Sequence, residues 1–474
     1  MDFLADIRWA FLPELIIITF IFISAFLSLF FNKKLYKTSQ WIAISGILTS
    51  FASIGFVQAE PTYFAFNGSV VCNVYTVFFK SLILIASFFV ILLSKEIVKK
   101  KREKAFEYFA LLYGAILGSL LMVGANDFLV AYFAFALLGI TSTLLIGVPQ
   151  KYNTKIASTK FLLTEIFASS IFLLGVSYLY IVVGQMNFDS IFSALSGYQG
   201  GLLLALALIF IVTGIMFKIC ATPFANYAPD IYKDTTAPVG TFLSLIPIIA
   251  GFSLLSRILL LTSDFVPLVG VVVLIYALIT MSVGVYGAIT QNNIKSFMGY
   301  STMIQVSFML LVLGVIKPYT LSALLYYLVS YIFMNIALWA AVINYNKNNI
   351  SDYTGLAYKR PFYTLAVIFT LLSMIGFPPT SGFLAKLFVM SAVTRLGIIY
   401  LVFILIMLLL TVVAFFAYLK LINMMFKKIP NPIIEQERPV FSKITLYFCS
   451  GITILLCFYS SKIIELCELI SYSL

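Results

Sequence analysis

The sequence predicts an all-α polytopic membrane protein of about fourteen transmembrane helices, with two inverted five-helix repeats that each contain a broken helix. Three observations predict it. Apolar residues make up 62% of the 474, and charged residues only 10%, against roughly 45–50% and about 25% in soluble domains. Mean hydropathy is +1.07, and no soluble fold could hide that much apolar surface. Apolar stretches of about 20 residues, the length a spanning helix needs, recur from one end of the chain to the other, and the basic residues gather in alternate loops.

The predicted spans begin with Leu12–Phe31, Gln40–Val57 and Val70–Leu93. Tyr108–Val123, Phe128–Ile146, Phe161–Val183, Gly201–Cys220 and Thr241–Leu261 follow. Val266–Gly287, Thr302–Ile316, Thr320–Val342, Phe362–Thr394, Ile398–Leu419 and Ile444–Tyr459 complete the set. They form one integral membrane domain: spans 1–3 over about 12–93, repeat one over about 105–261, repeat two over about 266–426, and a last span at about 444–459.

The basic residues check this count independently. Loops after odd-numbered spans carry Lys33, Lys34, Lys37, Lys95, Lys99, Lys100, Lys101, Arg102, Lys104, Lys151, Lys155, Lys160, Lys233 and Lys295. They also carry Lys347, Lys359, Arg360, Lys427, Lys428, Arg438 and Lys443, which makes twenty-one. The opposite face carries four: Arg8, Lys317, Arg395 and Lys462. By the positive-inside rule both termini then lie on the non-cytoplasmic side, as expected of a bacterial inner-membrane protein. The net charge of +12 is topology and not a nucleic-acid footprint; the surroundings expected are a lipid bilayer.

There is no histidine, which excludes His metal sites, haem axial His and Ser-His-Asp triads. Cys72, Cys220, Cys449, Cys457 and Cys467 are scattered in apolar runs with no CxxC pair, so they read as small buried hydrophobes. No redox cofactor is expected on this chain.

Two spans are anomalous. Phe362–Thr394 has 33 residues, about 50 Å of helix against a hydrocarbon core of about 30 Å. Gly376-Phe377-Pro378-Pro379-Thr380-Ser381-Gly382 lies in its middle, where proline removes a donor and breaks the helix. The seventh span runs into Pro223 and Pro229. Each break has a lysine beside it, Lys218 and Lys386. A charge near mid-membrane costs about 3 kcal/mol on insertion scales and marks an ion or proton path. Spans 7 and 12 are five apart, and paired broken helices in inverted repeats point to a transport site.

Lys160 and Glu165 open span 6 on offset faces, and Glu165 is a candidate partner for a lysine of span 7. Lys80, midway along span 3, is open to a structural or a functional role. Glu14, after Pro13 in the first turn of span 1, is expected to favour the helix dipole as a capping group. Arg257, late in span 8, is expected to snorkel.

At these motifs the chain resembles the antiporter-like subunits of respiratory NADH–quinone oxidoreductase (complex I), in particular the N subunit, counterpart of mitochondrial subunit 2. Leu12-Pro13-Glu14-Leu15, Glu107 through Leu112 and Ala125-Asn126-Asp127 carry the first part of the resemblance. Phe217-Lys218 through Pro223-Phe224, Ala228-Pro229-Asp230-Ile231-Tyr232, and Ala237-Pro238-Val239 carry the seventh-span signature. Asn293-Ile294-Lys295, Tyr300-Ser301, Met334-Asn335, Asp352, Gly355-Leu356 and Ser373 through Lys386 close it.

The resemblance implies a membrane-arm subunit of a hetero-oligomeric complex, contributing to proton translocation coupled to electron transfer from NADH to quinone. Flavin, iron–sulfur clusters, NADH and quinone would sit on partner subunits. The implied proton-path residues are Lys218 and Lys386, with Glu165 and Lys160 nearby. The family's span-5 glutamate and central span-8 lysine are replaced here by Ala136 and Ile248, and Ala225 and Gln305 stand where family histidines commonly occur. Half of the relay set is therefore missing, which leaves open an impaired channel, a non-pumping structural subunit, or a subunit of a multi-subunit cation/proton antiporter with the same helix plan.

Overall fold

The computed structural model describes residues 3–31, 36–59, 62–95, 104–195, 201–262, 266–395, 397–427 and 440–473. Lys33, Lys34, Lys99, Lys100, Lys101, Arg102, Lys428 and Arg438 lie outside the described residues. Among the described residues, twelve helices are long and apolar enough to cross a membrane. Two further crossings are built from broken helices, which brings the segments to the fourteen expected.

The first half of the chain runs α1 (Phe3–Ala10), α2 (Leu12–Phe31), α3 (Tyr36–Ser53), β1 (Tyr63–Ala65), β2 (Val70–Cys72), α4 (Val74–Leu93), α5 (Ala105–Gly124), α6 (Phe128–Gly147), α7 (Tyr152–Val183), α8 (Phe188–Leu195) and α9 (Leu202–Met216). The second runs α10 (Tyr227–Asp234), α11 (Ala237–Leu243), α12 (Ile246–Thr262), α13 (Pro267–Thr290), α14 (Ile294–Leu313), α15 (Pro318–Tyr345), α16 (Leu356–Lys359), α17 (Pro361–Ile375), α18 (Ser381–Thr394), α19 (Ile398–Phe426), α20 (Val440–Phe458) and α21 (Ser460–Tyr472). The chain divides into two compact units. One holds residues 1–219, 245–273 and 469–474, and the other holds 220–244 and 274–468.

Several boundaries differ from the sequence reading, each for a local reason. Span 3 was expected from Val70, but Val70–Cys72 pairs antiparallel with Tyr63–Ala65. Asn73 then starts α4 with a capping box: its side chain accepts from the Thr76 amide at 2.9 Å, and the Thr76 hydroxyl accepts from the Asn73 amide at 2.9 Å. Span 6 begins at Tyr152 instead of Phe161, so Lys160 and Glu165 stand inside the helix and do not open it. Span 8 was expected over Thr241–Leu261. It is interrupted at Ser244-Leu245, between α11 and α12, because Pro247 has no N–H to offer the preceding turn.

In the first unit, α7 and α9 approach closely through glycine. A Cβ on Gly175 would lie 2.6 Å from the Ile211 nitrogen and 2.7 Å from the Ala207 oxygen, and one on Gly214 would lie 2.6 Å from the Phe172 Cβ. With lipid as solvent, such close packing between small residues holds helices together where no hydrophobic drive acts. In the second unit, α14 and α15 are almost wholly buried, and α17, α18 and α20 surround α15. The faces turned outward are apolar, with Phe22, Phe26 and Leu29 exposed on α2 and Val412 and Phe416 on α19.

One backbone clasp recurs in both units. Asp127 bridges Asn187 in the first, with Phe128 donating to Met186 and Phe188 donating to Asn126. Asn293 bridges Asn349 in the second, with Ile294 donating to Asn348 and Ile350 donating to Asn292. Asp127 and Asn293 also cap α6 and α14 with their side chains. The same device at the start of spans 5 and 10 is what a five-helix repeat produces.

Gly175→Ala is expected to force α7 and α9 apart and to lower thermal stability in detergent, with an overpacking cost of about 1–3 kcal/mol. Gly451→Ala, whose Cβ would meet nothing within 4 Å, is expected to lower it not at all. Melting curves of both variants check this.

Candidate functional site

Lys218 follows α9 on a tightened turn, its amide donating to Ile215 at 2.9 Å. The helix stops there because Cys220 takes a left-handed φ of 56° and Pro223 cannot donate. Beyond the break, in the second unit, the Thr222 amide and hydroxyl bond the Thr280 hydroxyl at 3.0 and 2.9 Å. Side chains thus satisfy backbone that no helix satisfies, as broken segments at membrane depth require.

Lys218 is 2% exposed and Glu165 4%. The Lys218 Nζ donates to both carboxylate oxygens of Glu165, at 2.7 and 2.8 Å. The ammonium also sits 4.1 Å from the centre of the Phe135 ring, a cation–π contact worth about 2 kcal/mol when desolvated. Deleting one member of such a pair leaves a bare charge and costs about 3–5 kcal/mol.

The carboxylate fits only because α6 has glycine at 139, where an added Cβ would collide with the Glu165 side chain. The family glutamate position, Ala136, lies one turn earlier on α6 and is half-buried. On the other side, a Cβ at Gly251 of α12 would meet the Lys218 Cβ at 3.3 Å. Ile248 is fully buried three residues before it. Lys160 is exposed.

Lys386 is neutralised differently. It is 5% exposed, and its Nζ donates to the carbonyls of Met374 at 2.9 Å and Ile375 at 2.7 Å. These end α17, where the helix dipole favours a cation. Gly376, at φ 90°, terminates that helix and caps it. The Phe308 ring lies 4.9 Å from the ammonium. Lys218 and Lys80 each meet a carboxylate, Glu165 and Glu14, whereas the bonds of Lys386 go to backbone carbonyls.

From Lys386 a chain of polar groups continues through the second unit. Gln305 donates to the same Met374 carbonyl at 3.0 Å and accepts from the Tyr327 hydroxyl at 2.8 Å. Tyr327, Tyr331, Asn335 and Trp339 are spaced by four along α15, so they form one stripe. Tyr331 donates to the Ser244 carbonyl at 2.6 Å and accepts from Asn335 at 2.5 Å. Trp339 donates to the Ser244 hydroxyl at 2.9 Å, and that hydroxyl donates to Asn335 at 3.2 Å. Protein side chains thus take the Ser244 carbonyl at the interruption of span 8.

Two charges fall elsewhere than expected, and a third finds its role. Glu14 is not a helix-capping group: it bonds Lys80 at 2.6 Å, and both are 1% exposed. Lys80 is thereby fixed as half of a buried ion pair. Arg257 does not snorkel; it is 4% exposed and donates to the Ala125 carbonyl at 2.7 Å. Sequence reasoning treated these charges singly because it cannot see which helices meet. The signal present was two opposite charges, each isolated in an apolar run of neighbouring spans.

Residues 125–411 match the family model described as NADH:quinone oxidoreductase/Mrp antiporter, TM. A chloroplastic NAD(P)H-quinone oxidoreductase subunit 2 of Mesostigma viride is 35% identical, with 88% of this chain and 85% of that one aligned. The chain belongs to this family. An NADH-quinone oxidoreductase subunit N of Bacillus anthracis is 29% identical over 95% of this chain and 93% of that one. The family fold is shared with a chain of Thermus thermophilus respiratory complex I (TM-score 0.81, 22% identity, 96% and 98% covered). It is shared as well with a chain of the Mrp complex from Dietzia (TM-score 0.83, 16% identity, 99% and 97% covered).

Gly139→Ala is expected to push Glu165 off Lys218 and to destabilise the protein by about 1–3 kcal/mol. In a Glu165→Ala background the same change is expected to be nearly neutral, because the carboxylate it strikes is gone. A double-mutant cycle on thermal unfolding measures the difference.

Proposed function

We propose that this chain is a membrane-arm subunit of a proton-translocating NADH:quinone oxidoreductase. It lies in a bacterial inner membrane with both termini on the non-cytoplasmic side, and NADH, flavin, iron–sulfur clusters and quinone are held by partner subunits. The observation that carries the reading is the buried Lys218–Glu165 pair beside a helix break. A lysine whose charge depends on one carboxylate in a low-dielectric interior changes its proton affinity when that carboxylate moves. The family relatives, subunits of NAD(P)H- and NADH-quinone oxidoreductases, support the coupling to quinone reduction.

Glu165 takes over, from the neighbouring helix, the role that the resemblance assigns to position 136. Gly139 opens the space for it. Lys386, held by carbonyls of a half-helix, is the second proton-binding group. Ile248 supplies no ionisable group, but the Gln305–Tyr327–Tyr331–Asn335 stripe carries hydroxyls and amides from Lys386 as far as Ser244, four residues before Ile248. On this reading the subunit pumps.

Lys218→Met and Glu165→Gln are each expected to lower the protons pumped per NADH in the native complex in vesicles. The double variant is expected to add little, since both act on one pair. Full pumping in Glu165→Gln, with assembly unchanged, would remove Glu165 from the path.

Affinity purification of the chain in mild detergent is expected to bring down flavin and iron–sulfur subunits of the complex. Recovery as a stable particle that exchanges cations for protons without NADH would favour the antiporter reading instead.

A further inference from the structure

A second cluster of buried charge lies in the first unit, away from Lys218. Glu14, Lys80 and Arg257 come from α2, α4 and α12, and all are at most 4% exposed. Lys80 bonds Glu14 at 2.6 Å and the Ala10 carbonyl, at the end of α1, at 3.2 Å. Both cations reach the same end of α5. A Cβ on Gly124 would lie 3.7 Å from the Lys80 Nζ, and Arg257 donates to the next residue, Ala125, at 2.7 Å. The α5 carbonyl end favours both cations. The Arg257 guanidinium also stands 5.5 Å over the Tyr75 ring, and the Tyr75 hydroxyl bonds the Ser253 carbonyl at 2.8 Å and the Ser256 hydroxyl at 2.5 Å.

This arrangement is not that of a finished structural salt bridge. Two cations face one carboxylate. Glu14 Oε2, Arg257 Nη2 and Ser253 Oγ are buried and have no hydrogen-bond partner among the described residues. A structural ion pair survives burial only when its remaining lone pairs and protons are satisfied. One orphan acceptor, one orphan charged donor and one orphan hydroxyl, which can both donate and accept, are the set that bridging water completes. Cys72 lies within electrostatic reach of all three charges. Asp189, exposed and bonded to Asn126 at 2.8 Å, lies within electrostatic reach of Arg257. Asn126 follows Ala125, so the cluster is one residue removed from a carboxylate at the surface.

We propose that Glu14, Lys80 and Arg257 form a further proton-binding site of this chain, separate from Lys218 and Lys386, joined through ordered water at Ser253 and opening toward Asp189. The site rests on the reading of the chain as a proton-translocating subunit. Glu14 is the group that accepts and releases the proton. Lys80 and Arg257 set its affinity, and the water held between Glu14 Oε2, Ser253 Oγ and Arg257 Nη2 carries the proton to and from it.

The test is protons pumped per NADH by the whole complex in vesicles, with quinone reductase rate and amount of assembled complex read alongside. Glu14→Gln is expected to lower the proton yield by as much as Lys218→Met does, with electron transfer retained, and Glu14→Asp is expected to restore part of it. Ser253→Ala, which removes no charge and breaks no hydrogen bond of the Ser253 hydroxyl, is expected to assemble and to lower the yield as well, and it keeps the site testable if Glu14→Gln does not assemble. If Lys218→Met lowers the yield while Ser253→Ala and every assembling Glu14 variant keep it full, this site is overturned and the pumping reading stands. If none of them changes it, the pumping reading falls first. Loss of assembled complex alone, with full yield in what assembles, makes the cluster purely structural and overturns the proposal.

Discussion

A charge inside a membrane has to be neutralised by something nearby, and this constraint orders the whole molecule. Water is scarce there, so neutralisation must come from a carboxylate or from the carbonyl end of a helix. Lys218 has the first, through two short bonds to Glu165. Lys386 has the second, through Met374 and Ile375. The helix breaks follow from the same need. A continuous helix spends its carbonyls on its own amides, whereas one that stops at Gly376 leaves its last carbonyls free to hold an ammonium.

The two lysines therefore respond to different inputs. Lys218 depends on the position of one side chain, which a rotamer change can alter. Lys386 depends on the position of a half-helix, α17, whose end carbonyls move with the backbone. A signal that reorients Glu165 and a signal that shifts α17 are distinct physical events. The stripe on α15 ties the second event to the break in span 8, because Gln305 and Lys386 share the Met374 carbonyl.

Much of this was legible in the sequence because it is written in composition and in strong local chemistry. Span length, the alternate placement of lysine and the two proline clusters give the fourteen crossings and both broken helices. Lys218 and Lys386 announce themselves as charges in apolar runs beside prolines. The partners do not. That Glu165 meets Lys218 depends on α7 and α9 approaching through Gly175 and Gly214, and on the missing side chain at Gly139. A glycine is chemically silent, and nothing in its neighbours says that a carboxylate from another helix fills its place. The partners of Ser244 were hidden for a related reason: Pro247 is visible in the sequence, but the side chains that take the Ser244 carbonyl, Tyr331 and Asn335, lie about ninety residues on.

The carbonyl of Met374 joins three parts of the second unit at one point: Lys386, Gln305 and the end of α17. One acceptor serves a flexible lysine on one side and a rigid amide on the other. When the lysine's grip slackens, Gln305 keeps its hold, and the tension on α17 becomes one-sided. The amide is pinned in turn by Tyr327, so the imbalance cannot dissipate in a loose side chain. On the proposed reading, a proton lost from Lys386 would weaken one of the two bonds at Met374 and leave the other, so the end of α17 would be held from one side.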